Sequence, residues 1–278
     1  MSQQTLLKKA ESYFEQAEQF QDQGNIENSI ASYQEAIKIK PNYGKALNKL
    51  AAIYESQENW VEVAKCCRSL IGIKPDNPHL YLRLAKALNK QGKIYGAIAA
   101  YQEAIELNSD LPVSIYRQLG NLLLAEKNGL KAAIHIYEKI DDLDPNFLAS
   151  LYSKFARQLE EEDNLDEAIV YYQKAIQLQP DLPNRYRLLG DIFLQKQYFD
   201  EAVTCYKKAV KIKPDFAVVY QRIGDAYQQK GELDIAIQCY QKVVELNPEA
   251  TYGYRLIGNI LTQQGRVGEA QGYYMKAV

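Results

Sequence analysis

The sequence predicts an all-α solenoid of antiparallel helix pairs, and three observations carry this prediction. A period of 34 to 36 residues runs along the 278-residue chain. Within each period, apolar residues recur three and four positions apart, which is helical spacing. Turn residues separate the helical segments at regular offsets. A fixed period in this range indicates repeats that each bury an apolar face against the next repeat.

Two columns of tyrosine show the period most clearly. The column on the first predicted helix of each repeat reads Tyr13, Leu47, Tyr81, Tyr116, Tyr152, Tyr186, Tyr220 and Tyr254. The column on the second helix reads Tyr33, Cys67, Tyr101, Tyr137, Tyr172, Tyr206, Tyr240 and Tyr274. Together they hold fourteen of the 22 tyrosines. We therefore assign most of the tyrosines to packing within the repeats.

A third column always holds a small residue on the first helix. It reads Ala17, Ala51, Ala85, Gly120, Ala156, Gly190, Gly224 and Gly258. A side chain this small lets a neighbouring helix approach closely. The column therefore predicts the point at which the two helices of each repeat cross.

Glycine and proline mark the predicted helix ends. Glycine lies between the two helices in five repeats, at Gly24, Gly92, Gly129, Gly231 and Gly265. Because glycine readily adopts the left-handed conformation, we expect it to end the first helix. The second helix is predicted to stop at a proline or, once, a serine: Pro41, Pro75, Ser109, Pro145, Pro180, Pro214 and Pro248.

These repeats resemble the tetratricopeptide repeat (TPR). The best matches are YRLLGDIFLQKQYFDEAVTCYKKAVKIKPD, from Tyr186 to Asp215, and YQRIGDAYQQKGELDIAIQCYQKVVELNPE, from Tyr220 to Glu249. The resemblance implies a right-handed superhelical α-solenoid. We assign residues 1–9 to an N-terminal segment and 10–278 to a single TPR array. The repeats are placed at 10–43, 44–77, 78–111, 112–147, 148–182, 183–216, 217–250 and 251–278, the last one incomplete.

Composition argues against several classes of function. The 33 basic and 35 acidic residues give a net charge of −2, which does not favour nucleic acid binding. Charges interrupt every long apolar run, so we expect no membrane insertion. Four cysteines are too few for a disulfide framework and favour a reducing, cytoplasmic location. The sequence lacks phosphate-loop, zinc-protease and nucleophile-elbow motifs, so we expect no enzyme, cofactor or metal site.

The resemblance implies that the first helix of each repeat lines a concave groove that binds a peptide or a partner protein. Its exposed columns are basic in the middle of the array, and guanidinium groups suit carboxylates, so we expect a preference for acidic segments. A merely solvated face is the alternative, because exposed helix faces carry charge in any case. The predicted groove residues are Lys86, Arg117, Asn121, Arg157, Arg187, Asp191, Gln221, Asp225, Arg255 and Asn259.

The sequence therefore supports two candidate functions. The first is a non-catalytic scaffold for protein–protein interaction. The second is a structural, targeting or oligomerisation segment of a larger enzyme, such as a glycosyltransferase. The second predicts coding sequence beyond Val278 and self-association through the open last repeat, near Tyr273, Tyr274 and Ala277.

Overall fold

The computed structural model describes residues 3–277, and this part of the chain forms sixteen α-helices in two compact units. The N-terminal unit extends to Ile140 and the C-terminal unit begins at Asp141. Numbered in chain order, the helices of the N-terminal unit are α1 Gln3–Asp22, α2 Ile26–Ile39, α3 Gly44–Ser56, α4 Trp60–Ile73, α5 Pro78–Lys90, α6 Ile94–Leu107, α7 Val113–Ala125 and α8 Leu130–Tyr137.

The C-terminal unit repeats the same pattern. Its helices are α9 Pro145–Glu161, α10 Leu165–Leu178, α11 Pro183–Gln195, α12 Phe199–Ile212, α13 Ala217–Gln229, α14 Leu233–Leu246, α15 Thr251–Gln263 and α16 Val267–Met275. Inside each unit every helix packs on the next one along the chain. The predicted all-α fold of antiparallel helix pairs is confirmed.

Helix boundaries follow the predicted repeats in most places. Helices α3, α5, α11, α13 and α15 begin at the first residue assigned to repeats 2, 3, 6, 7 and 8. Helix α1 begins at Gln3 and so extends into the segment assigned to residues 1–9. The single continuous array over 10–278 stays a prediction.

The second-helix tyrosines form the centre of each repeat. Tyr33, Tyr101, Tyr172, Tyr206 and Tyr240 are among the largest fully buried side chains. In the four repeats whose small residue is glycine, the ring packs directly beside it. A Cβ atom built on Gly120, Gly190, Gly224 or Gly258 would lie only 2.5–2.6 Å from the tyrosine ring of the same repeat. The close helix crossing predicted from the small column is therefore present.

Four of the five turn glycines behave as predicted. Gly24, Gly92, Gly231 and Gly265 have φ between 72° and 82°, the left-handed region. In these repeats the residue after the glycine donates its amide to a carbonyl of the first helix five residues earlier. This is the Schellman arrangement, which satisfies carbonyls at the helix end.

Repeat 4 departs from the prediction at Gly129. Its φ is −84°, so the residue is not left-handed. A Cβ at Gly129 would meet the carbonyl oxygen of Leu123 at 1.8 Å, so glycine is needed there for close backbone approach. The additional residues around Lys127 and Asn128 change the turn, and α8 has only 8 residues where α2, α4 and α6 have 14.

The expectation that Pro145 stops a second helix is wrong. Pro145 is instead the first residue of α9, where a missing amide hydrogen costs nothing because the first helical amides have no partner inside the helix. Asp144 caps this helix by accepting a hydrogen bond from the amide of Asn146. As a result α9 has 17 residues and begins before the predicted start of repeat 5.

Candidate functional site

The ten predicted groove residues lie on first helices in both units. Lys86, Arg117 and Asn121 belong to the N-terminal unit. The C-terminal unit carries Arg157, Arg187, Asp191, Gln221, Asp225, Arg255 and Asn259. The predicted basic centre therefore divides between two separately packed units.

Four of the ten residues accept hydrogen bonds from second-helix tyrosines. The tyrosine of the same repeat donates its hydroxyl to Asn121 at 2.6 Å, Asp191 at 2.7 Å, Asp225 at 2.8 Å and Asn259 at 2.9 Å. The first three donors are buried, and the donor to Asn259, Tyr274, is half-buried. In each case the acceptor directly follows the glycine on which the ring packs. These side chains thus hold the tyrosine in place within their own repeat.

Burial and charge keep Tyr206 and Tyr240 protonated. Burial raises the pKa of Tyr206 and of Tyr240, and the neighbouring carboxylates Asp191 and Asp225 raise it further. Burial also raises the pKa of Asp225, while the hydrogen bond from Tyr240 acts in the opposite direction. The hydroxyl groups therefore remain donors at neutral pH.

Arg187 and Asp191 belong to a charged network on α11 and α13. Arg187 Nη1 lies 2.6 Å from Asp191 Oδ2, which is the i, i+4 pair expected from the spacing. Arg222, which the sequence analysis did not select, lies 3.3 Å from Asp191 and 3.6 Å from Asp225. The positive charge of Arg187 is consequently neutralised within the unit.

Five predicted residues lie outside these arrangements: Lys86, Arg117, Arg157, Gln221 and Arg255. Lys86 and Arg117 are exposed, and the Lys86 ammonium lies 5.6 Å from the centre of the Trp60 ring. Gln221 and the exposed Arg255 line a shallow depression of about 450 Å³ together with Tyr252 and Leu256. These groups could contact a ligand without breaking an interior hydrogen bond.

Arg157 lines a cleft of about 360 Å³ in the C-terminal unit, which we call the α9–α11 cleft. Exposed Lys154 lies on the same helix. The lining contains three cationic residues and no acidic one. It consists of Ser150, Ser153, Lys154, Arg157, Leu182, Pro183, Asn184, Arg185 and Leu188.

Arg185 is the residue of this cleft that the sequence analysis missed. Its side chain is buried, with 7% of its surface exposed. Nε donates to Ser153 Oγ at 3.0 Å, and Nη1 donates to the carbonyl oxygens of Ala175 and Gln179 at 3.2 Å. Among the described residues, no carboxylate forms an ion pair with Arg185. Burial lowers the pKa of its guanidinium group, which still carries its charge at neutral pH.

A signal for Arg185 was present in the repeat alignment. It occupies the position just before the first tyrosine column, where the other seven repeats carry no charged residue. Those residues are Ser12, Ala46, Leu80, Ile115, Leu151, Val219 and Gly253.

The cysteines and histidines show no reactive arrangement. Cys66, Cys67, Cys205 and Cys239 are free thiols, and burial raises the pKa of each to about 11. His79 and His135 are exposed. Within residues 3–277 no group of three or more His, Cys, Asp or Glu residues is placed to hold a metal ion. No helix in that range combines the length and the apolar character needed to cross a bilayer.

Comparison with known proteins gives a partial likeness to one curated enzyme and to solved structures. Human Protein O-mannosyl-transferase TMTC1 is 26% identical over 170 residues, which cover 60% of this chain and 19% of that protein. A crystal structure of MamA shares 25% identity, covers 57% of this chain and 92% of its own, and has a TM-score of 0.48. MamA 41-end from Desulfovibrio magneticus RS-1 shares 19% identity, with coverage of 59% and 92% and a TM-score of 0.46.

Two family models match, and together they cover nearly the whole chain. A TPR repeat model matches residues 17–58. The model of the cilia and flagella-associated protein 70 C-terminal domain, a TPR family, matches residues 61–278. Since the second match exceeds half of the chain, the chain belongs to the tetratricopeptide repeat family of the cilia and flagella-associated protein 70 C-terminal domain.

Proposed function

We propose that this chain is a non-catalytic scaffold that binds a peptide or an extended segment of a partner protein on the first helices of its repeats. The α9–α11 cleft is the observation that carries the proposal. It combines exposed Lys154 and Arg157 with an apolar wall of Leu182, Pro183 and Leu188. Small-ligand and peptide sites commonly pair an apolar surface with a few polar groups, in volumes of about 300–1,000 Å³.

The predicted groove residues contribute unequally under this proposal. Lys86, Arg117, Arg157 and Arg255 are exposed and can reach a ligand. Asn121, Asp191, Asp225 and Asn259 accept hydrogen bonds from second-helix tyrosines, so their role is mainly structural. We further propose a cytoplasmic location, in keeping with the four free thiols, three of which are buried.

A displayed library of random peptides tests the binding function. The selected peptides would be measured by fluorescence anisotropy against the wild type and Lys154→Glu. We expect reversal of a cleft charge to weaken binding by about tenfold, or roughly 1.4 kcal/mol. Lys211→Glu is the matched control, since it makes the same charge change at an exposed position on α12. Failure to select any peptide, or equal losses in both variants, would count against the cleft as the site.

The likeness to the O-mannosyl-transferase favours a second candidate function. Under it, this chain is a repeat segment that serves a larger glycosyltransferase by targeting or oligomerisation. Self-association would use the face of the last repeat near Tyr273, Tyr274 and Ala277. Light scattering at high protein concentration tests this candidate. A monomer, together with a reading frame that stops after Val278, would exclude it.

A further inference from the structure

A charged residue in the packing core of a repeat is an exception to the pattern of this protein. The position of Arg185 holds Ala46, Leu80, Leu151 and Val219 in other repeats, and all four are buried. Val219, for example, packs in one apolar cluster with Tyr206 and Ala209 of the preceding repeat. Arg185 instead places a fixed positive charge at the wall of the α9–α11 cleft.

The neighbours of Arg185 do not neutralise its charge. Its Nε and Nη1 hydrogens meet one hydroxyl and two carbonyl oxygens, which are neutral acceptors. The two carbonyls lie at the C-terminal end of α10, where the helix dipole gives some compensation. The other ionisable side chains lining the cleft, Lys154 and Arg157, carry charge of the same sign.

Capping of α10 does not by itself explain the arginine. Helices α12 and α14 end, like α10, with a backbone hydrogen bond. The amide of the C-cap residue donates to the carbonyl oxygen four residues earlier, at 2.9 Å in α12 and α14. The repeats that follow them carry Val219 and Gly253 at the equivalent position. A buried charge without an opposite charge costs free energy, so an acceptor from outside the chain would offset that cost.

We propose that the α9–α11 cleft is a carboxylate-binding site with Arg185 as its buried anchor, which rests on the proposed peptide-binding function. Arg185 Nη2, which is not used by the three bonds above, donates to the carboxylate. Lys154 and Arg157 approach it from the rim. Leu182, Pro183 and Leu188 contact an apolar side chain next to the acidic group. The ligand is thus an acidic segment of another protein.

Three synthetic peptides distinguish the sources of the carboxylate. The first contains glutamates and leucines and has an amidated C-terminus. The second replaces every glutamate with glutamine and has a free C-terminus, and the third is its amidated form. Anisotropy should show binding of the first if side chains supply the carboxylate, or of the second if the chain end does. Either result supports the site. Binding of all three alike, or of none, overturns it.

Variants of the whole chain test the anchor. Arg185→Leu, which restores the residue of repeats 3 and 5, should lower the affinity for the bound peptide by about tenfold or more. Its melting temperature by circular dichroism should equal or exceed that of the wild type, because the variant removes an uncompensated buried charge. Arg185→Lys should retain affinity within a few-fold, and Lys211→Glu should leave it unchanged.

The possible outcomes distinguish the role of Arg185 from the proposed peptide-binding function. If Arg185→Leu does not fold, the affinity of Arg185→Gln is measured instead, since the glutamine amide can still donate to the carbonyls without carrying a charge. Wild-type affinity in the neutral variant, with loss in Lys154→Glu, would overturn the role of Arg185 and leave peptide binding intact. If no carboxylate peptide binds while library peptides still do, the carboxylate site is wrong and the proposed function stands.

Discussion

The tyrosine on the second helix takes different hydrogen-bond partners according to the small residue opposite its ring. Beside a glycine, the hydroxyl bonds the Asn or Asp that directly follows, as Tyr206 does with Asp191. Beside an alanine, Tyr33 bonds Gln21 and Tyr172 bonds Glu160, both four residues beyond the alanine. Two glycine repeats also make the contact four residues on, since Tyr240 bonds Gln228 at 3.0 Å and Tyr274 lies 3.2 Å from Thr262. The bond to the Asn or Asp directly after the small residue is therefore what distinguishes the glycine repeats.

Adding that methyl group to a glycine repeat should be destabilising. In Gly224→Ala the new Cβ would lie 2.5 Å from the ring of Tyr240, which must shift and lose its hydrogen bond to Asp225. We expect a loss of about 1–3 kcal/mol in the free energy of unfolding. Urea denaturation followed by circular dichroism measures it.

Gly272→Ala is the control for this prediction. Gly272 is helical and exposed, and nothing lies within 4 Å of its Cβ position. The same substitution should there stabilise the chain by about 0.5–1 kcal/mol, because alanine loses less entropy in a helix. A loss of stability at both glycines would show that the tyrosine contact is not the cause.

The hydrogen-bonding role of the acidic and amide residues was within reach of the sequence. Every glycine of the small column precedes Asn or Asp, whereas the alanines precede Glu18, Ala52, Lys86 and Arg157. Helical periodicity placed all eight on the exposed side of the first helix. It could not show that a tyrosine hydroxyl from the second helix reaches around to that side.

At the scale of elements, the turn between the two helices of a repeat requires a left-handed residue in seven repeats. Glycine fills it in four, while Glu58, Asp163 and Gln197 adopt φ of 55° to 63° in the other three. The left-handed conformation costs a residue with a side chain about 1–2 kcal/mol of free energy. These three turns therefore carry strain that the glycine turns do not.

Exchange of residues between two turns tests this strain. Gln197→Gly should stabilise the chain by about 0.5–1 kcal/mol, since relief of strain exceeds the added freedom of the unfolded glycine. Gly231→Gln, at φ 82°, should destabilise it by a comparable amount. The denaturant midpoints of the two variants measure these stability changes. Midpoint shifts of the same sign would contradict the assignment of strain to the turns.

Most helix starts were predictable where the repeat keeps its length, as at Gly44, Pro78 and Pro183, whereas α1 begins at Gln3, before repeat 1. The prediction failed around Gly129 and Pro145, where repeat 4 contains additional residues. A proline is compatible both with the end of one helix and with the first turn of the next. Spacing alone cannot choose between these once the period is broken.

For the whole molecule, buried tyrosines make stability depend on alkaline pH. Burial raises the pKa of Tyr33 to about 12 and raises the pKa of Tyr101, Tyr137, Tyr206 and Tyr240 as well. In the unfolded chain each tyrosine releases its proton near its ordinary pKa of 10.0, whereas in the folded chain it does so at a higher pH. Its contribution is thus complete below pH 10 and is lost as the pH rises through the folded pKa.

We therefore expect the melting temperature to fall steadily above about pH 10. Circular dichroism melts across this range, with the ultraviolet absorbance of tyrosinate recorded alongside, check the result. Tyr240→Phe should make the fall shallower, whereas Tyr252→Phe, at an exposed position, should not change it. A melting temperature that does not change up to about pH 12 would contradict the assignment.

The candidate site was predictable only in part at this scale. Arg157 was selected from its exposed column, but Arg185 lies in a column that the sequence analysis did not consider. A period identifies what repeats have in common, so a residue unique to one repeat is visible only as an exception. The cleft itself depends on how α9 and α11 pack, which the period does not specify.

The two tyrosine arrangements have a consequence for how such a chain can change over generations. The glycine and the acceptor that follows it both lie on the first helix, whereas the second helix carries tyrosine in both kinds of repeat. We therefore expect recombination to exchange second helices between repeats more readily than first helices. A first helix must instead be inherited with its glycine and its acceptor together. Variation in this lineage should accordingly come in linked pairs on the first helix of a repeat.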